Sequence, residues 1–197
     1  MMRDLQKRPE VYAFIDSQNL NLGVQAVGWK MDWRKFRFYL QKQYGVTKAF
    51  MFIGYMVENE PMYEQLHEIG YLIALKPTVD VKALAEKGTE MTVSEPVKDD
   101  SKHAVKGNID ADLVLYAMKE LPNYNQAIIV SGDGDFYGLI EYLIEQRKLK
   151  NVMTPNWKYS SLLKPFEHYI VRLDKQRRQL SYYDRDRKKS TQSLPRG

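Results

Sequence analysis

Short apolar runs alternate with helix-patterned segments along most of the chain, and this alternation constrains the fold more than any other feature. Val11–Asp16 (VYAFID) is apolar until its last residue and is short enough to read as a buried strand. Thr47–Tyr55, Tyr71–Pro77, Gln126–Ser131, Asn151–Thr154 and Tyr169–Leu173 read as further strands. Between them, Trp33, Phe36 and Leu40 share one face of a helix running to Tyr44, which Asp32 caps and Gly45 ends. Glu60–Ile69 is a second helix, with Pro61 in its first turn and Gly70 beyond its end. Others are expected from Asn108 or Asp110 to Leu121, over Phe136–Gln146, and from Ser160 or Ser161 to Phe166. Such alternation predicts an α/β fold, a three-layer sandwich whose central sheet is mainly parallel, with helices on both faces. Two stretches break the pattern. The segment after Asp16 holds Asn19, Asn21, Gly23 and Gly28 and reads as a loop, and Thr78–Lys106 is polar and aperiodic, a hairpin or a long loop.

Composition narrows the chemistry. The 197 residues suit one domain with a tail, and no apolar run approaches the ~18 residues of a membrane helix. The N-terminus is charged and lacks the apolar stretch of a secretory signal, so a cytoplasmic protein is expected. With no cysteine, thiolate nucleophiles, disulfides and zinc–thiolate sites are excluded. The three histidines, His67, His103 and His168, share no metal-ligand spacing, so any bound metal is held mostly by oxygen, which favours Mg²⁺ or Mn²⁺. The charge is uneven. Nine basic against three acidic residues make Arg172–Gly197 +6, and the total of +5 leaves −1 for residues 1–171. We therefore divide the chain into a domain over 1–173 and a basic, flexible tail over 174–197, in which Tyr182 and Tyr183 suit base stacking.

Four carboxylates carry the functional reading. In open parallel sheets, ligands bind beyond the carboxyl ends of the strands. Asp16 ends the first strand, and Asp133 and Asp135 follow the fourth, so all three fall at one sheet edge. Asp110 joins them if its helix begins at that edge. Each has a simpler role on its own: Gly-Asp-Gly-Asp is turn chemistry, and Asp110 suits a helix cap. Together they crowd like charges, which a hard divalent cation relieves while bridging phosphate and activating water. Whether one metal or two is held stays open.

The segments FIDSQNL (Phe14–Leu20), KGNIDADLVL (Lys106–Leu115) and IVSGDGDFYGLI (Ile129–Ile140) resemble the NYN domains, specifically their LabA-like group, relatives of the PIN nucleases. The resemblance implies a PIN-like, Rossmann-like fold and a metal-dependent ribonuclease with Asp16, Asp110, Asp133 and Asp135 at its metal site. It further implies that Asn19 assists there, that Ser131 supports the loop or a ligand, and that Lys106 meets substrate phosphate. Many relatives carry another acid six residues after the helix aspartate, where this chain has Tyr116.

The expected activity is therefore hydrolysis of RNA phosphodiester bonds with Mg²⁺ or Mn²⁺. Single-stranded RNA is the expected partner, a membrane is not, and a homo-oligomer stays open. The alternative is an inactive or weakly active RNA-binding or regulatory module on the same fold, which Tyr116 favours. A phosphatase or nucleotide hydrolase ranks behind both. Asp16-Ser17-Gln18 lacks the second acid of the haloacid-dehalogenase pattern, and no GxxxxGK[ST] loop is present.

Overall fold

The structure, a computed structural model, describes residues 9–55, 59–77 and 109–183. Among the described residues, six strands pair in the order β3-β2-β1-β4-β5-β6, every neighbouring pair parallel. They are β1 (Val11–Asp16), β2 (Val46–Tyr55), β3 (Leu72–Pro77), β4 (Gln126–Val130), β5 (Leu149–Thr154) and β6 (Ile170–Arg172). Among the described residues, helices α1 (Ser17–Gln25), α2 (Trp33–Tyr44), α3 (Glu60–Ile69), α4 (Ile109–Lys119) and α5 (Tyr137–Glu145) cover the sheet. The expected three-layer α/β sandwich is thus observed. None of the described helices is long and apolar enough to cross a membrane.

The two faces of the sheet have separate cores. Val11, Ala13 and Ile15 of β1 pack with Leu20 and Val24 of α1, Phe36 and Leu40 of α2, and Leu66 of α3. Tyr12 and Phe14 point the other way, into a cluster with Leu113 and Ala117 of α4 and Ile140 and Leu143 of α5. All six β1 residues are buried, because helices cover both faces; this is why Val11–Ile15 is continuously apolar rather than alternating. Each fully buried Leu, Ile or Phe in these layers contributes roughly 1.5–3 kcal/mol.

Several local expectations change. The segment after Asp16 is helix α1, not a loop. Its Asn residues and Gly23 are poor helix formers, but Leu20 and Val24, four residues apart, bury against the sheet and outweigh propensity. Gly23 is needed there, since a Cβ would come within 2.5 Å of the Pro155 ring. On α2 the buried residues are Phe36, Tyr39 and Leu40, with Trp33 only partly covered. The expected Phe136–Gln146 helix begins earlier, as a 3₁₀ turn over Gly134–Phe136 that leads into α5. The segment Ser161–Tyr169 is 3₁₀, broken by a kink at Phe166, and longer than expected. Asp32, Gly45 and Gly70 terminate their helices as read, both glycines in the left-handed region.

Ordered packing runs past residue 173, the expected end of the domain. A 3₁₀ turn (Leu173–Gln176) leads into α6 (Arg177–Leu180), whose Leu180 is buried in the first core. Asp32 N donates to Leu180 O at 2.9 Å, Tyr182 N donates to Lys30 O at 2.9 Å, and Lys35 Nζ donates to Ser181 O at 2.7 Å. The apolar side chains of Leu173 and Leu180 explain this docking; basicity alone does not mark a free tail. The rest of that tail, from residue 184, lies outside the described residues, as does Thr78–Lys106.

Candidate active site

The strand order reverses direction between β1 and β4: β2 and β3 lie to one side of β1, β4 to β6 to the other. This is the switch point at which the carboxyl ends of a parallel sheet open a crevice. Ile15 pairs with Val130, so the next residues, Asp16 and Ser131, meet at the mouth of that crevice.

Asp16 is 5% exposed and is fixed from two sides. Asn19 N donates to its Oδ1 at 3.0 Å, capping α1, and Ser131 Oγ donates to its Oδ2 at 3.2 Å. Its pKa is raised, first by burial and further by the charges of Asp110 and Asp133, against the lowering effect of these two hydrogen bonds. Asp16, Asp110 and Asp133 line one cleft of about 130 Å³, together with Gln18, Asn19 and Ile109. The condition set for Asp110 is therefore met: α4 begins at the same edge as the end of β1.

The other expected site residues separate. Asp133 lies at the cleft, with its Oδ1 accepting from Asp135 N at 3.1 Å. Asp135 itself is exposed and does not line the cleft, because the 3₁₀ turn starting at Gly134 carries it outward. Asn19 Oδ1 accepts from Gly132 N at 2.8 Å, so its side chain clamps α1 to the loop after β4. Ser131 is 1% exposed; it donates to Asp16 and accepts from Asp133 N at 3.1 Å. Ser131, expected to support the loop or a ligand, is buried beneath the cleft, where its hydroxyl joins Asp16 to the backbone of Asp133. Lys106 lies outside the described residues. Tyr116 faces β2, its ring 5.5 Å from that of Phe52 and 6.2 Å from that of Phe50.

The loop between β4 and α5 tolerates little change. A Cβ on Gly134 would collide with Ser160 Oγ and come within 2.8 Å of Leu162 Cδ1. Ser160 N donates to Gly132 O at 2.9 Å, holding the same loop from the other side.

The donor set fits a hard divalent cation in type and charge, since three carboxylates line a single cleft. In their present positions the side chains do not form a ligand cluster: among the described residues no three acidic or histidine groups are arranged to hold one ion.

The chain matches the NYN domain over residues 10–173. It belongs to the NYN domain family. This NYN domain also resembles the low amplitude and bright protein LabA of Synechococcus elongatus, at 26% identity over 132 residues that make up 66% of this chain. The match spans 65% of that relative's length. A crystal structure of a Vibrio parahaemolyticus protein of unknown function superimposes with a TM-score of 0.59 at 22% identity, covering 88% of this chain and 97% of the other, and it shares the fold. NYN domains are related to the PIN-like nucleases.

Sequence reasoning missed Gln18 at the cleft and the loop after β5. That loop holds Pro155, Asn156, Lys158 and Tyr159 around a second hollow beside the first. The interleaved aromatic and basic residues of Trp157-Lys158-Tyr159 were the available signal.

Proposed function

We propose that this NYN domain is a ribonuclease that hydrolyses phosphodiester bonds of single-stranded RNA with Mg²⁺ or Mn²⁺. The observation that carries the reading is the joint lining of one switch-point cleft by Asp16, Asp110 and Asp133. Asp16 would be the fixed ligand, since both its oxygens are already oriented by hydrogen bonds. Asp110 and Asp133, on the first turn of a helix and on a loop, would turn inward to complete the set. A divalent ion bound there supplies charge neutralisation for the phosphodiester and lowers the pKa of a water.

The remaining work falls to the chain's own groups. Ser131 holds Asp16 and the backbone of Asp133 in one arrangement, so the acids keep their spacing when charge develops at the phosphate. Asn19 keeps α1 against the Gly132 loop, closing the floor of the cleft. The overall reaction adds water across the P–O bond, leaving a phosphate monoester on one fragment and a hydroxyl on the other. The test is cleavage of a single-stranded RNA by the purified protein in Mn²⁺, with EDTA and Asp16→Asn as controls.

A second reading, an RNA-binding module without turnover, is favoured by Tyr116. Its ring packs on Phe50 and Phe52, so the position of the family's further acid serves packing here. RNA binding that survives both EDTA and Asp16→Asn, with no cleavage in any metal, would select this reading.

A further inference from the structure

Beside the acid cleft lies a hollow of about 330 Å³, formed where α1 meets the loop after β5. The two share Asn19 and Leu22 on their walls, so they lie side by side. The loop is rigidly built. Asn156 is buried, its Nδ2 donates to Gly23 O at 2.7 Å, and its Oδ1 accepts from Lys158 N at 2.6 Å. Thr154 Oγ1 donates to Asn156 O at 3.2 Å. Gly23 admits Pro155 at a distance no side chain would allow.

This rigid loop displays Trp157 with 52% of its surface exposed. Two cations lie over the indole: the Arg172 guanidinium is 5.7 Å from the ring centre and Lys158 Nζ is 6.0 Å from it. Arg172 is held there by Asp174, its Nε and a terminal nitrogen donating to the two carboxylate oxygens at 3.0 and 2.6 Å. A half-exposed aromatic ring fixed by a built loop and already in contact with two cations is the kind of platform on which unpaired bases and arginine stack while cations meet the backbone. Lys158, the next residue, lines the hollow and gives the strand its direction.

We propose that Trp157 is a base-stacking subsite for single-stranded RNA, that Lys158 contacts the adjoining phosphate, and that the bound strand runs from there along the hollow into the acid cleft. This rests on the nuclease reading for the strand's destination, but not for binding itself.

The test uses the full chain and a 12-nucleotide single-stranded RNA in EDTA, which separates binding from turnover. Trp157→Ala weakens binding roughly 5- to 150-fold, and Trp157→Phe restores most of it, because a π-face is retained. Lys158→Ala lowers the slope of log affinity against log salt by about 0.7, the loss of one phosphate contact. Tryptophan emission is quenched by the RNA in the wild type and not in Trp157→Phe, since Trp29 is buried and Trp33 partly so. Unchanged affinity in Trp157→Ala, equal dependence on Trp157 for duplex RNA, or no binding by the wild type would each overturn the proposal. Loss of cleavage in Asp16→Asn with unchanged RNA affinity in Trp157→Ala refutes this subsite alone. Trp157-dependent binding without metal-stimulated cleavage refutes the nuclease reading alone.

Discussion

Ser131 Oγ donates to Asp16 Oδ2 across 115 residues of sequence, and the same oxygen accepts from Asp133 N. One buried hydroxyl thus sets two of the three acids at the cleft. Ser131→Ala should leave the buried Asp16 acceptor and the partly buried Asp133 N–H without their partner. The expected cost is about 1–3 kcal/mol, seen as a melting temperature several degrees lower. If the nuclease reading holds, cleavage falls further than stability does, measured as kcat at a temperature where both proteins are folded.

The raised pKa of Asp16 gives a pH signature. The folded protein keeps the Asp16 proton to higher pH than the unfolded chain, whose value is near 3.8. As pH rises from the unfolded value through the folded one, the native state is the one holding more protons, so stability declines across that window and then levels off. Asp16→Asn should remove this decline and melt at or above the wild-type temperature at pH 7, as measured by thermal unfolding between pH 3 and 8. A variant less stable than wild type at pH 7 would mean that the carboxylate's hydrogen bonds outweigh its burial and repulsion.

A divalent ion should stabilise the protein through the same crowding. Saturation at one hundred times the dissociation constant adds about 2.7 kcal/mol. The increase in melting temperature with Mn²⁺ should vanish in Asp16→Asn, and an increase of equal size in both proteins would place the ion elsewhere.

Asp133 and Asp135 should behave differently although two residues apart. Asp133 lines the cleft and Asp135 is turned outward. Asp133→Asn should reduce cleavage at least a hundredfold, and Asp135→Asn less than tenfold. Equal losses would show that Asp135 swings inward on metal binding. Gly134→Ala provides a steric comparison: the added methyl meets Ser160 and Leu162, so both activity and melting temperature should fall.

The parts of this account differ in how far the residues alone revealed them. The parallel sheet and the meeting of Asp16 with Asp133 were legible, because a buried apolar strand ending in a carboxylate has one place to go at a sheet edge. Helix α1 was not, since its stability comes from Leu20 and Val24 packing on the sheet and from Gly23 admitting Pro155, which local propensity does not register. The positioning role of Ser131 and the clamp by Asn19 depend on the register of β1 against β4. The orientation of Asp135 depends on a three-residue 3₁₀ turn that Gly-Asp-Gly-Asp does not specify. The docking of Leu180 was hidden by the basic residues around it.

The central claim is that the acids at the switch-point cleft support metal-dependent cleavage of RNA. Its most direct test is turnover of a single-stranded RNA by the full chain in Mn²⁺, beside Asp16→Asn and Asp133→Asn proteins whose melting temperatures show them folded. The account predicts cleavage by the wild type that EDTA abolishes and each substitution reduces at least a hundredfold. Equal cleavage by all three proteins, or none by the wild type in any divalent metal, would contradict it.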